Sequence, residues 1–328
     1  MKRLIAIGLL GLVPANAFGQ YLSEKEILDL FANPQQNAEK YNPPLLNDRQ
    51  TEELFKGRKK VRPPETPAAQ EVPPQGDLRR FDGPIRNQQE LPWCTAFASL
   101  SVVENISRQR GQDLDLSEHM HFQDYREYTL EGAARSAQRT LIVLENAWPY
   151  KKNPVSNWRS LGKAKSTGWS DVDSFEQLYT LVSQNKPVIL GVMTTNSWNN
   201  PKGGVVSPSG RRAGGHAIAI VGYNKSASTP YLIFRNSWGS GWGDKGYGYL
   251  PVSYCRSYDC SFVQYHGTQV QGEVPPTPTA TPTASPTSTP TTPPTATPTT
   301  PPTPGPTPGP TPPPGQCNWL KRLFGWCE

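Results

Sequence analysis

Hydrophobic positions recur along this chain with two different periods, and the change comes a little past its middle. Within residues 21–55, Ile27, Leu30 and Phe31 share a helical face behind Ser23 and Glu26, a Ser-x-x-Glu pair that makes a capping box. That stretch predicts two short helices. Residues 92–108 predict a longer one, with Ala96, Phe97, Ala98, Leu100, Val102, Val103 and Ile106 putting small or apolar side chains around most of its circumference. A helix apolar on nearly all sides is expected to be buried. Phe175, Leu178, Leu181 and Val182 predict another, capped by Ser174. After Lys186-Pro187 the texture changes, and residues 188–193, 217–223, 231–235 and 247–252 read as strands split by Gly, Pro, Asn and Ser. Helices first and strands second imply an α+β fold, with a cleft where the two halves meet.

Other stretches carry neither period. Lys2 and Arg3, the apolar run 4–13 and Ala15-Asn16-Ala17 read as a signal peptide over residues 1–17, too short for a membrane span. Residues 58–76 are basic and then rich in proline, which predicts an extended, solvated strip open to cutting. Residues 275–315 are Pro and Thr with a little Ala, Ser and Gly and no charge, a polyproline-like spacer that cannot bury a core. The expected division is a signal peptide (1–17), a pro-region (18–76), a packed domain (77–270), a Pro/Thr-rich linker (271–316) and a short tail (317–328). The tail sets aromatic residues between Cys317 and Cys327, and its expected role is contact with a cell surface or envelope.

Composition narrows the chemistry. The net charge of +6 comes from scattered basic residues, with no basic stripe interleaved with aromatics, so no nucleic-acid partner is expected. Export to the periplasm, cell surface or medium puts five cysteines in an oxidising compartment. Cys255 lies near Cys260 and Cys317 near Cys327, two candidate local disulfides that leave Cys94 as the odd thiol. No other apolar stretch is long enough to span a membrane, no metal or cofactor is expected, and the mature chain is expected to be a monomer.

Cys94 sits at the start of the apolar helix, where the positive end of the backbone dipole favours a thiolate. Far downstream, Gly214-Gly215-His216-Ala217 and Asn236-Ser237-Trp238-Gly239-Ser240-Gly241-Trp242-Gly243 offer a base among small residues and a group to orient it. His119, His121 and His266 are alternative imidazoles without such surroundings.

With Asp77-Leu78-Arg79, Arg86-Asn87-Gln88, Cys94-Thr95-Ala96-Phe97-Ala98, Leu116-Ser117-Glu118, Trp148-Pro149-Tyr150 and Val221-Gly222-Tyr223, in that order, these segments resemble the papain-like cysteine peptidases over about residues 77–254. The match is closest to the bacterial branch, in which Thr-Ala follows the nucleophile and the base lies in a Gly-Gly-His-Ala strand. The resemblance implies a fold of two subdomains, the helical one carrying the cysteine and the strand-rich one the histidine and asparagine. It implies Cys94 as nucleophile, His216 as general base and acid, Asn236 as the residue orienting His216, and Gln88 as oxyanion donor, with Gln89 the rival. Trp238 would cover the His–Asn bond, Gly215 would leave room for substrate, and a thiolate–imidazolium pair would be the resting state. Two departures stand out. Leu91 replaces a common second cysteine, and Pro92-Trp93 replaces a small pair, so Trp93 is expected to crowd the leaving-group side of the cleft or alter how the helix begins. The implied function is an exported peptidase acting on proteins or peptides, held inactive by the short segment 18–76. The alternatives are an inactive papain-fold binding module on a surface tether and a cell-wall peptide amidase.

Overall fold

The computed structural model describes residues 21–37, 41–64 and 72–272; the signal peptide, the linker and the Cys317–Cys327 pair lie outside the described residues. The leader preceding the domain forms α1 (Glu24–Ala32) and α2 (Asp48–Phe55), each opened by a complete capping box, Ser23 with Glu26 and Asn47 with Gln50. A short strand β1 (Gln75–Asp77) leads into the domain, whose first half holds α3 (Cys94–Arg108), α4 (Glu118–Tyr125) and α5 (Leu130–Arg139). Then come β2 (Ile142–Val143), β3 (Gly162–Ser166), β4 (Trp169–Val172) and α6 (Phe175–Ser183). The strand-rich half continues with β5 (Val188–Thr195), β6 (Arg212–Asn224), β7 (Tyr231–Arg235), β8 (Tyr247–Pro251), α7 (Tyr254–Ser257), β9 (Cys260–Tyr265) and β10 (Thr268–Val270). The fold is α+β, as the change of period implies.

The main sheet runs β4-β9-β5-β6-β7-β8, all antiparallel, with β1 added to the end of β6. Its central strands are buried on both faces: every residue of β5 is buried, as are residues 214–224 of β6. Strands covered on both faces read as continuous apolar runs instead of alternating ones, which is why 188–193 and 217–223 stand out in the sequence. β6 begins earlier than expected, at Arg212, because Thr195 and Met193 of β5 hold its polar, glycine-rich start in register. α3 is buried along nearly its whole length, with Leu100, Val102 and Val103 fully covered.

Residues 58–64 depart from the expectation of a solvated strip. The Arg58 guanidinium pairs with Asp171 at 2.7 Å and donates to Ser261 and to the Phe262 carbonyl, each at 3.0 Å. Val61 is buried and its amide donates to the Cys260 carbonyl at 2.9 Å, while Lys59 and Lys60 reach Asp173 and Asp259. Basic charge that looks like a reason for solvation is met by carboxylates of the domain. A disulfide joins Cys255 and Cys260 beside this contact.

Candidate active site

Two neighbouring strands deliver the nitrogen chemistry. His216 lies within β6, opposite Val192 of β5, and Asn236 follows directly on the end of β7. The imidazole Nε2 is 2.9 Å from Asn236 Oδ1, which also accepts the Ser237 amide at 2.8 Å. An amide oxygen only accepts, so Nε2 carries the proton and Nδ1 keeps its lone pair. That Nδ1 is buried and has no hydrogen-bond partner among the described residues. The Trp238 ring stacks on the imidazole at 4.5 Å and Trp198 meets it edge-on at 6.3 Å, together shielding the His–Asn bond from water.

Cys94 is the first residue of α3. The backbone amide of Ala217, the residue after His216, pulls the thiol's pKa downward, so the sulfur lies near the strand that carries the ring. Cys94 and His216 are both 0% exposed. Burial pushes the Cys94 thiol up to about 12, against a smaller opposing pull from nearby amides, and lowers His216 to about 4 despite its bond to Asn236. Burial thus works against the charged form of each group while the site is covered. Loss of water penalises both charged forms by more than the helix dipole and the amides return.

The loop before α3 is joined to the loop after β7. The Gln88 amide N–H donates to the Ser237 carbonyl at 2.8 Å, and Ser237 Oγ donates to Gln88 Oε1 at 2.6 Å. With Oε1 engaged, Nε2 points to two carbonyls, Leu91 at 2.9 Å and Pro44 of the leader at 3.3 Å. Arg235 donates to the Gly83 and Pro84 carbonyls, and the Tyr150 hydroxyl donates to the Gln88 carbonyl at 2.8 Å. Ser237, Arg235 and Tyr150 are positioning residues that sequence reading did not assign. Two of them stand in quoted motifs, and the third immediately precedes Asn236, which was the available signal. Gln89, the rival, has an exposed side chain whose Oε1 accepts from Lys151 at 3.0 Å.

Trp93 lies at the N-cap of α3 and makes no side-chain capping bond. Its ring stacks on Phe122 of α4 at 4.6 Å and meets Tyr150 edge-on at 5.7 Å, so it packs into the helical half. Among the other imidazoles, His121 is buried between Ser99 and Ser136, His119 packs on Trp93, and His266 bonds Ser170 on the exterior.

The leader runs through the site. Tyr41 contacts the Trp238 ring at 5.7 Å, and the Leu46 amide donates to the Gly215 carbonyl at 3.0 Å. The Gly215 amide donates to Thr51 Oγ1 at 2.8 Å, so α2 takes up the other main-chain group of the same residue. Gly215 permits this approach: a Cβ there would come within 3.0 Å of Thr51 Oγ1 and 3.1 Å of Leu54 Cδ2.

Residues 72–264 match the family model described as papain family cysteine protease. Among curated proteins, Peptidase 1 of Psoroptes ovis is 31% identical over 197 residues, covering 55% of this chain and 61% of that protein. Cathepsin O of Homo sapiens is 29% identical over 186 residues, covering 51% of this chain and 57% of that protein. The chain thus spans about three-fifths of the length of these relatives. In fold it is similar to xylellain, a cysteine protease from Xylella fastidiosa, with a TM-score of 0.54 at 20% identity, covering 71% of this chain and 97% of that one.

Proposed function

The chain belongs to the papain family of cysteine proteases, and from that premise we propose that it is an exported cysteine peptidase made as a latent precursor. Cys94 attacks a peptide carbonyl, whose oxygen takes up charge against the Gln88 side-chain N–H and the Cys94 amide. His216, held by Asn236, gives a proton to the leaving amine, and water then hydrolyses the thioester through the same imidazole. Residues 21–64 are the inhibitory leader, and its removal opens the cleft to protein or peptide substrates. One observation carries the reading: the Gln88 amide already holds a peptide carbonyl, that of Pro44, beside the buried pair. The Cys255–Cys260 disulfide fits an oxidising compartment. Among the described residues no helix is long and apolar enough to cross a membrane.

The test is peptide cleavage by the leader-free domain, together with alkylation of Cys94. Alkylation without cleavage of any member of a peptide library would favour a binding module over an enzyme. Gln88→Ala is expected to lower kcat by roughly 10²- to 10³-fold with KM little changed, the usual cost of one oxyanion donor. An unchanged kcat removes Gln88 from that role.

The leader also indicates what the cleft accepts. Leu54 is fully buried against Gly215 and Gly191; a Cβ on Gly191 would lie 3.1 Å from Leu130 Cδ1 and 3.5 Å from Leu54 Cδ1. Gly191 pairs with Ala217, which adjoins His216, so this hollow borders the site. A substrate leucine in the seat of Leu54 gains about 1.5–3 kcal/mol over an exposed one, roughly a ten- to hundredfold preference over alanine in kcat/KM. Gly191→Val partly fills the hollow and is expected to erase that preference. A cleavage profile that stays the same in the variant places the selective pocket elsewhere.

A further inference from the structure

The stretch lying over the reactive pair, Tyr41-Asn42-Pro43-Pro44-Leu45-Leu46, contains no charged residue. Leu46 is buried, the Pro44 carbonyl takes the Gln88 amide, and the Tyr41 ring rests on Trp238. Beneath it, the groups facing Cys94 are the amides of Ala217 and Thr95 and, through its hydrogen bond to Thr95 Oγ1, the Tyr125 hydroxyl of α4. Those facing His216 are Asn236, Trp238 and Trp198. The nearby titratable groups are thus two phenols, Tyr41 raised to about 12 and Tyr125 raised well above its ordinary value, both neutral at physiological pH. No carboxylate, ammonium or guanidinium among the described residues acts on either member of the pair.

Taking Cys94 and His216 as the catalytic pair, as under Proposed function, we propose that the leader enforces latency electrostatically as well as sterically. It holds the pair as neutral thiol and neutral imidazole, and the proton passes from Sγ to Nδ1 only when residues 41–46 leave and water returns. Creating two charges in a dry, uncharged chamber costs several kcal/mol per ion before their mutual attraction is counted. Burial displaces both groups toward neutrality, the thiol upward and the imidazole downward. Nδ1 is buried without a hydrogen-bond partner among the described residues, so no protein group there stabilises a proton on it.

One consequence has a definite sign. The proton that leaves sulfur is the one that nitrogen gains, so uncovering changes the location of a proton without net uptake. The pair itself therefore gives the covering equilibrium no slope with pH wherever the uncovered site is an ion pair and the covered one is neutral.

Thiolate ultraviolet absorbance tests the proposal, because it needs no access to the sulfur and so separates ionisation from obstruction. The full-length chain is measured from about pH 5 to about pH 8, with the Cys94→Ser chain as blank, before and after the leader is cut from the folded precursor by an added protease. The expected result is no Cys94 thiolate signal in the covered chain and about one thiolate per chain after cutting, with iodoacetamide alkylation accelerated at least about a hundredfold. A Leu46→Asp precursor, in which a charge disrupts the seat of the cover, is expected to regain thiolate absorbance with its leader still uncut. Equal thiolate signal in covered and leader-free chains overturns the proposal, as does a leader-free chain without thiolate. A leader-free chain that gains the thiolate yet cleaves no peptide upholds the proposal and refutes the peptidase reading.

Discussion

Cys94→Ala in the leader-free domain is expected to lower peptide hydrolysis by roughly 10⁴- to 10⁶-fold, the scale on which nucleophiles of this kind of unit fail when removed. The sulfur is the atom that bonds to the substrate carbonyl, and alanine offers no substitute. His216→Ala should cost nearly as much, because the imidazole is the proposed acceptor of the thiol proton, and Nε2 is committed to Asn236 at 2.9 Å. The double variant should be little worse than either single one, since members of a unit that acts together are strongly non-additive. The Cys94→Ala chain should also accumulate as uncut precursor if the leader is removed by the chain's own activity. Steady-state kinetics on a fluorogenic peptide and the mass of the purified chain check both points. Normal trimming of the mutant in a protease-free preparation would rule out self-processing. Residual turnover within tenfold of the parent would leave Cys94 without the role assigned to it.

Features whose causes are local were legible in the sequence. The capping box at Ser23 needs only residues three positions apart, as does the Ser174 cap of α6, which accepts the Gln177 amide; the like box at Asn47 was not singled out. The continuous apolar runs of β5 and β6 declare double-sided burial, and the small or apolar residues around most of α3 declare a buried helix. What escaped depends on partners distant in the chain. Residues 58–64 look solvated until Asp171, Asp173 and Asp259 meet their charges. The stacking partner of Trp93, Phe122, lies on another helix. Gln88 is recognisable as a donor, but its aim depends on Ser237, 149 positions away, which fixes which end of the amide faces the cleft. The burial that opposes charge on the pair was not legible for the same reason. A helix dipole is a local property, whereas the burial of Cys94 and His216 depends on segments distant in the chain.

Leu54→Ala in the intact precursor is the second large effect expected, and it bears on latency without touching the catalytic groups. Leu54 belongs to the leader, is fully buried and fills the hollow beside Gly191 and Gly215. Truncating a buried leucine costs about 2–5 kcal/mol, the span reflecting how far a site collapses around the void. Here that cost falls on the covered state alone, because the uncovered domain has no Leu54 in its cleft. The uncovered fraction should therefore rise roughly thirty- to four-thousand-fold. If closing is fast relative to labelling, the alkylation rate of Cys94 reports that fraction directly. Lys25→Ala provides the contrast. Its ion pair with Asp29 leaves the two side chains 83% and 64% exposed, and exposed pairs contribute little, so labelling should change by no more than about twofold. Should Leu54→Ala label no faster than the parent chain, α2 is not what holds the cleft shut, and the ion pairs of residues 58–64 would have to carry the leader's grip instead.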